Sequence, residues 1–300
     1  MHNKVLLSIV IANYNYGRFL EMAIESVISQ CVKPVHCSDG LVRLQIAEDV
    51  YIELIICDAM STDNSLAIIE SHSHEITWWC SEPDGGQSAA FNKGYSHASG
   101  RFLTWLNADD VLIAGALKKF VKAVRRHPDV EWFAGGSVHF DMDLKIILCT
   151  RTRRFSHYEA AHGQISVYSP SSFFSRRLYD NVGGIDEYFR YSMDTHLWSK
   201  FFLKEKAIYT VLPGYIFGFR YHPESKTTSV HFKDKSITED QEGSEQGRDE
   251  ALLIRNLFPQ FSPMSTLKRR LKMDWVAKVK SVYDTIQYRG KTLSACGFLE

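Results

Sequence analysis

The run Trp105-Leu106-Asn107-Ala108-Asp109-Asp110 closes an apolar stretch, Arg101 to Leu106, with an amide and two adjacent carboxylates. Carboxylates at the carboxyl end of a strand suit a hard divalent cation such as Mg²⁺ or Mn²⁺. A nucleoside diphosphate is the commonest reason for such an ion to sit there. The plainer job for Asp109 or Asp110 is to cap a helix starting near Leu112, but capping leaves two similar segments upstream unexplained. Ala12-Asn13-Tyr14-Asn15-Tyr16 follows the apolar run Val5–Ile11, and Asp58–Asp63 follows Tyr51–Cys57.

These segments need a scaffold that brings strand ends together. Val5–Ile11, Tyr51–Cys57, Ile76–Cys80 and Arg101–Leu106 read as strands, and helical spacing covers Phe19–Gln30, a segment opening at Ser61-Thr62-Asp63, and Gln87–Ala98. Pro34 and Gly40 mark the stretch up to Asp49 as loop. Strands alternating with helices predict an α/β fold whose mostly parallel central sheet is covered on both faces. In such sheets ligands bind at the carboxyl ends of the strands, where all three polar segments fall. No GxGxxG follows the first strand and no GxxxxGK[ST] occurs, which argues against a dinucleotide oxidoreductase and a P-loop kinase.

The second half changes character. Val111–Arg126 reads as a helix with a basic end, Val130–Phe140 as a strand interrupted at Gly135-Gly136, and Ile146–Cys149 as its partner. Ser166–Phe174 is strand-like with a break at Pro170, Arg176–Asn181 and Met193–Lys204 are helical, and Ile208–Leu212 and Tyr215–Tyr221 are two final strands. Trp198, Phe201 and Phe202 read as core, as does Trp105. At 300 residues and 45% hydrophobic, the chain can bury a substantial core without disulfide staples. Lys+Arg and Asp+Glu balance at 35 each, so nothing global points to nucleic acid. Six scattered cysteines lack zinc spacing, and Cys57 and Cys80 read as buried thiols. Without a signal peptide or bilayer-spanning segment, the expectation is cytoplasmic.

In these motifs and their order the chain resembles a family 2 glycosyltransferase of the GT-A fold. The matching pieces are Ser8–Asn15, Cys57–Asp63, Ser81–Gln87 with Asn92-Lys93-Gly94, Leu106–Asp110, Gly183–Asp186, Met193-Asp194, and Arg220–His222 with Ser225–Thr227. The resemblance spans roughly residues 5–230. It implies a catalytic domain over 1–230, with a nucleotide-sugar half (1–110) and an acceptor half (111–230), followed by a helical extension (231–300). It also implies metal-assisted transfer from a nucleoside diphosphate sugar, with inversion, to a glycan or lipid-linked acceptor of bacterial oligosaccharide or polysaccharide synthesis.

Residue by residue, the resemblance puts Ala12, Asn13 and Tyr14 against base and ribose. Asp58 reads the base, most naturally uracil N3–H, although it continues into Ala59-Met60-Ser61 where relatives often have glycine and serine. Asp84 and Gln87 border base and sugar, with Lys93 or Arg101 near Asp84. Where the family often has Asp-x-Asp, this chain has Asn107-Ala108-Asp109. That makes Asn107 a ribose or outer contact, with Ala108 beside it, and Asp109 the main ligand for Mn²⁺ or Mg²⁺. Asp110 orients a metal-bound water or caps the helix. His222 completes the metal shell or meets a phosphate, and Arg220 and Lys226 add positive charge. Because the metal takes the leaving-group role of an acid, inverting transfer needs a single carboxylate base. Asp194 is that candidate, with Asp186 and Glu187 in reserve and His196 as an acceptor contact. A helix N-terminus lowers a carboxylate pKa, so Asp194 is expected to be a weak base.

In the tail, Arg248–Phe258 is helical. Leu267, Leu271, Trp275, Val279, Val282 and Ile286 form a stripe amid Lys268, Arg269, Arg270, Lys272, Lys278, Lys280 and Arg289. This pattern over 264–291 suits an interfacial helix on anionic lipid at the inner face of a plasma membrane, or a helix docked on the catalytic domain or a second subunit. Rival readings of the whole chain are a sugar nucleotidyltransferase, which normally needs a glycine-rich triphosphate loop, and a non-catalytic nucleotide-sugar binder.

Overall fold

The computed structural model describes residues 5–154, 167, 169–207, 209–226, 246–247, 249–250, 252–254 and 280–299. In chain order the elements are β1 (Val5–Asn13), α1 (Gly17–Ile28), β2 (Lys33–His36), β3 (Val42–Ala47), β4 (Val50–Asp58), α2 (Ser65–Ser71), β5 (Trp78–Ser81), α3 (Gln87–His97) and β6 (Phe102–Asn107). There follow β7 (Val111–Leu112), α4 (Ala116–Arg126), β8 (Trp132–Phe140), β9 (Ile146–Thr150), β10 (Ser172–Ser175), α5 (Arg176–Asn181), α6 (Met193–Leu203) and β11 (Tyr209–Arg220). Residues 280–288 are helical.

One sheet runs through both halves in the order β2-β3-β4-β1-β6-β10-β8-β11-β7, with β5 on β4 and β9 on β8. Its centre is parallel: β5 with β4, β4 with β1, and β1 with β6. The register sets Asn13 beside Asp58 and Ala12 beside Asn107, so the three polar segments end side by side. Alternation along β1 feeds two cores. Leu7, Ile9 and Ile11 pack with Leu20, Ile24 and Val27 of α1, while Val10 packs with Ala90, Phe91 and Tyr95 of α3. Each such aliphatic side chain contributes about 1.5–3 kcal/mol by leaving water. On the second face Trp198 stacks between Trp105 (5.4 Å, 2°) and Trp132 (5.4 Å, 27°), which places all three in the core.

Several expectations are corrected. The stretch expected as loop before Asp49 holds the β2–β3 hairpin. Pro34 is tolerated because β2 is an edge strand. The helix expected from Val111 starts at Ala116, because Val111 and Leu112 pair with Gly218 and Phe217 of β11. β8 runs unbroken through Gly135-Gly136. A Cβ at Gly135 would lie 2.1 Å from Ile216 Cγ1, so this glycine permits close packing rather than a turn. The two final strands are one, β11, with irregular register near Tyr215. Within the strand expected over Ser166–Phe174, a 3-10 turn occupies Ser169–Ser171 and β10 starts at Ser172, while Ser166 and Tyr168 lie outside the described residues. None of the six cysteines forms a disulfide, and burial pushes the Cys57 thiol up to about 12.

The end of the chain docks on the sheet. Thr285 Oγ1 accepts the Cys149 N–H at 3.0 Å, Ser281 Oγ accepts the Arg151 N–H at 3.0 Å, and Asp284 pairs with Arg151 at 2.5 Å. Leu293 is fully buried beside Phe140 and Ile146. The rest of the expected tail stripe, from Leu267 to Val279, lies outside the described residues.

Candidate active site

The ends of β1, β4 and β6 form the floor of a cleft of about 680 Å³. Its first wall carries Ala12, Asn13, Tyr14, Asp84 and Gln87, and its floor Asn107, Ala108 and Asp109. Arg190, Phe219, Ser225 and Lys226 close it from the second half of the chain.

Asp109 is 8% exposed at this floor, and its Oδ2 lies 2.9 Å from Nε2 of the fully buried His222. His222 is wedged against Tyr16 and Phe19, with ring centroids at 5.5 and 4.8 Å. The neighbouring carboxylate points the other way. Asp110 accepts the Arg220 N–H at 3.0 Å and Asn107 Nδ2 at 2.7 Å. Burial, with Asp109 alongside, pushes its carboxyl well above the ordinary range. Asp110 therefore supports the turn, where the sequence reading has it orient a metal-bound water or cap the helix. Arg220 is corrected likewise. Its Nε donates to Asp109 O at 2.9 Å, and its guanidinium lies over Phe19 and Phe140 at 4.8 and 4.7 Å, so it braces the acidic turn instead of facing a phosphate. Asn107 links Asp110 to the cleft wall, accepting from Gln87 Nε2 at 2.8 Å.

Asp58 is 1% exposed and does not reach the cleft wall. Its two oxygens accept from Asn13 Nδ2 (2.7 Å), the Ser61 N–H (3.0 Å), the Ser61 hydroxyl and the Ser81 hydroxyl (2.6 Å). Four donors fill the acceptor sites of a carboxylate, so Asp58 organises the loop and has none left for a base. In the turn after it, Met60 takes φ 57°, a left-handed conformation that glycine adopts at lower cost. Asn13, held by Asp58, leaves its buried Oδ1 without a hydrogen-bond partner among the described residues while lining the cleft. Such an acceptor suits a ligand N–H or O–H. Asp84 accepts the Gly86 N–H at 2.7 Å, so it shapes the turn before α3 and lines the cleft at once. Lys93 pairs with Glu82 at 3.0 Å and Arg101 donates to Pro128 O, so neither is Asp84's partner.

On the opposite wall, Lys226 donates to Arg190 O and lies 4.9 Å over the Tyr191 ring. Burial and Arg190 lower its pKa, against the pull of Glu250 and Asp194. Asp194 is half-buried and is not on the cleft wall. It is the second residue of α6, whose N-cap is Ser192. It accepts from the Ser169 hydroxyl and, at 2.6 Å, from the Thr195 N–H. Burial outweighs these bonds and raises its carboxyl, the reverse of the expected lowering. Asp186 accepts the Tyr188 N–H at 3.1 Å, and Glu187 accepts Asn92 Nδ2 at 2.8 Å. His196 is 6% exposed and stacked on Phe189 at 4.2 Å. Burial pulls its pKa down to about 4, and it packs in the core instead of meeting an acceptor.

Tyr16, Arg190, Phe219 and Glu250 carry parts of the site that sequence reading did not assign. Tyr16 donates to Glu224 O at 3.0 Å, its hydroxyl pKa raised by burial and by Asp109. Only its place in the polar segment after β1 hinted at this.

The profile of glycosyl transferase family 2 matches residues 8–221. The chain belongs to this family. An uncharacterized glycosyltransferase of Nostoc sp. is 34% identical over 119 residues, covering 39% of this chain and 32% of that protein. The chain spans less than two thirds of the length of the first curated relatives it matches. Among solved structures, S. aureus TarS 1-349 in complex with UDP-GlcNAc superposes with a TM-score of 0.55 at 15% identity, over 95% of this chain and 81% of that one. The mannosyltransferase PcManGT from Pyrobaculum calidifontis, in complex with GDP-Man and Mn²⁺, gives 0.51 at 14%, over 93% and 87%. The family 2 chain thus has the GT-A fold of these glycosyltransferases. Among its described residues no three His, Cys, Asp or Glu side chains converge as a metal shell. Asp109 at the cleft floor and the buried His222 behind it are the side chains that would hold an ion taking its remaining ligands from a bound diphosphate and water.

Proposed function

We propose that the chain transfers a hexosyl or N-acetylhexosaminyl unit from a nucleoside diphosphate sugar, with UDP favoured, to a sugar hydroxyl of a glycan or lipid-linked acceptor, with inversion. The observation that carries this is Asp109 at the floor of a cleft closed by Arg190 and Lys226, with the buried His222 imidazole 2.9 Å behind its carboxylate. Solved neighbours bound to UDP-GlcNAc and to GDP-Man with Mn²⁺ support the donor class. Asp109 and His222 would hold Mn²⁺ or Mg²⁺, which neutralises charge on a departing diphosphate. With Asp58 saturated, base recognition passes to Asn13 Oδ1 and the Asp84 carboxylate, both acceptors for a ring N–H, while Tyr14 and Ala12 line base and ribose. Lys226 exchanges Arg190 O for a phosphate oxygen when the donor enters. Asp194 takes the proton of the acceptor hydroxyl, its burial-raised carboxyl being a better proton acceptor than an ordinary one.

The tail gives this enzyme a second surface. Helix 280–288 docks through Ser281, Asp284 and Thr285, leaving Val282, Tyr283 and Ile286 58, 66 and 75% exposed, with Lys280, Arg289 and Lys291 also exposed. Among the described residues no helix is long and apolar enough to cross a membrane. An apolar ridge amid cations suits the surface of an anionic bilayer, so the reading is a peripheral enzyme on the inner leaflet that works near a lipid-linked acceptor.

A calorimetric panel of UDP-, dTDP- and GDP-sugars with and without Mn²⁺ tests the donor reading. Metal-dependent binding of one nucleotide class supports it and fixes the base. Binding of none, with or without metal, removes it.

A further inference from the structure

The donor cleft is closed by a loop whose backbone is held from outside the family domain. Residues 190–192 run straight into α6, and their three N–H groups find their acceptors outside that helix. Ser192 makes no side-chain cap bond. The missing acceptors come from Glu250, 58 to 60 residues further along the chain. Its Oε1 accepts the Arg190 N–H at 2.9 Å, and its Oε2 accepts the Tyr191 and Ser192 N–H groups at 2.9 and 2.8 Å. Gln246 Nε2 adds a contact to Oε1 at 3.3 Å. Glu250 is 2% exposed, and four residues on, Ile254 is fully buried in the cluster of Trp198 and Phe201. The segment is therefore anchored on both sides of the carboxylate.

A carboxylate this buried is costly unless its charge is satisfied. Three backbone donors at a helix N-terminus, where the helix dipole also favours an anion, satisfy it. The same three residues serve the cleft. Arg190 lines it, Arg190 O holds Lys226, and Asp194 stands two residues beyond Ser192. Glu250 also draws on the Lys226 charge.

We propose that Glu250 is a positioning residue for transfer. Supplied by chain beyond residues 8–221, it fixes residues 190–192 so that Arg190 and Lys226 face the donor phosphates and Asp194 faces the acceptor. The proposal rests on the donor-cleft reading above. It makes Glu250 and the chain that carries it part of the working enzyme.

Glu250→Gln and Glu250→Asp in the full chain test it, read by amide hydrogen exchange and by titration with UDP and with GDP in Mn²⁺. Gln keeps the shape but sets an NH₂ against the N–H groups and removes the charge. Exchange at Tyr191 and Ser192 should quicken at least about tenfold, the effect of losing one charge-assisted hydrogen bond, with β1 and β6 unchanged. Affinity for the nucleotide that the wild type binds should fall by roughly three- to tenfold as Arg190 and Lys226 loosen. Glu250→Asp, which keeps the charge on a side chain one methylene shorter, should recover part of both effects. Unchanged exchange at 191–192 overturns the proposal. Faster exchange with unchanged nucleotide affinity also overturns it, because the clamp is then only structural. Wild-type protein that binds neither nucleotide overturns the donor reading and with it this role. That failure is distinguishable because it precedes any substitution.

Discussion

Replacing Asp109 and Asp110 one at a time by asparagine separates a carboxylate that serves a ligand from one that serves the fold. Asp110 is 1% exposed and accepts two hydrogen bonds, from the Arg220 N–H and from Asn107 Nδ2. Asparagine can accept only one of them and turns its NH₂ toward the other donor. An unsatisfied buried donor costs about 1–3 kcal/mol. Relief of carboxylate burial and of repulsion from Asp109 offsets part of that, leaving about 1–2 kcal/mol. At roughly 2 °C per kcal/mol for a chain of this size, the melting temperature falls by about 2–4 °C. Asp109 sits at the cleft floor, where asparagine keeps the shape and an oxygen toward His222, so stability changes by less than about 0.5–1 kcal/mol. What disappears is the charge facing a divalent ion. A loss of about 3 kcal/mol there corresponds to roughly 100-fold weaker Mn²⁺-supported nucleotide binding. Thermal melts and calorimetry with UDP and Mn²⁺ read both quantities on the same samples. The assignment is wrong if Asp110→Asn abolishes the metal response at unchanged stability, or if Asp109→Asn keeps it.

Asp194→Asn should leave nucleotide affinity intact while slowing transfer by roughly 10²-fold or more, and near-normal turnover would move the base to Asp186 or Glu187. Burial holds His139 down at about 4. The unfolded chain therefore takes up a proton near pH 6.5 that the fold refuses, and the stability present above that pH declines as pH falls toward 4. His139→Phe should flatten this decline by at most about 3 kcal/mol in urea titrations at pH 7, 5.5 and 4.5, and identical slopes for both proteins would show that His139 is not the cause. Gly94→Ala places a Cβ 2.4 Å from Val10 Cγ1 and should destabilise by about 1–3 kcal/mol, with Val10→Ala in the same chain recovering part of the loss; additive effects would refute the contact. Val282→Ser with Ile286→Ser should weaken binding to phosphatidylglycerol vesicles at least about tenfold without changing the melt, and undiminished binding would leave the ridge without that role.

The strand ends were legible because each apolar run stops abruptly in polar residues, and in a parallel sheet those stops share one edge. Trp105 and Trp198 were legible as core from their residue type within apolar runs. Hydrogen-bond saturation was not. Asp58 and Asp84 read alike as carboxylates after strands, yet the Ser61 and Ser81 hydroxyls and Asn13 fill Asp58 completely. Asp109 and Asp110 are adjacent in sequence, and only the turn decides that one faces the cleft and the other Arg220. The β2–β3 hairpin was hidden because Pro34 and Gly40 are breakers in general but tolerable on an edge strand and in its turn. Glu250 gave no local signal. Its partners lie some sixty residues away, and a lone glutamate in a polar stretch fits a solvated surface equally well.

The acidic turn is also a joint between the halves of the chain. Asp109 and Asp110 follow β6, but their orientation is fixed by Arg220 and His222 at the end of β11. β11 reaches that position because it pairs along β8 and because β7, immediately after the acidic turn, pairs back onto it. Arg220 is held in turn by Phe19, from the helix after β1, and by Phe140, from the end of β8. The desolvation that lowers its pKa is the cost of placing a cation there, and the Asp109 carbonyl and the Asp110 charge offset it. The Asp109–His222 pair is therefore not a property of the first half of the chain alone. It depends on β11 of the second half, the same half that supplies Arg190 and Lys226 to the cleft.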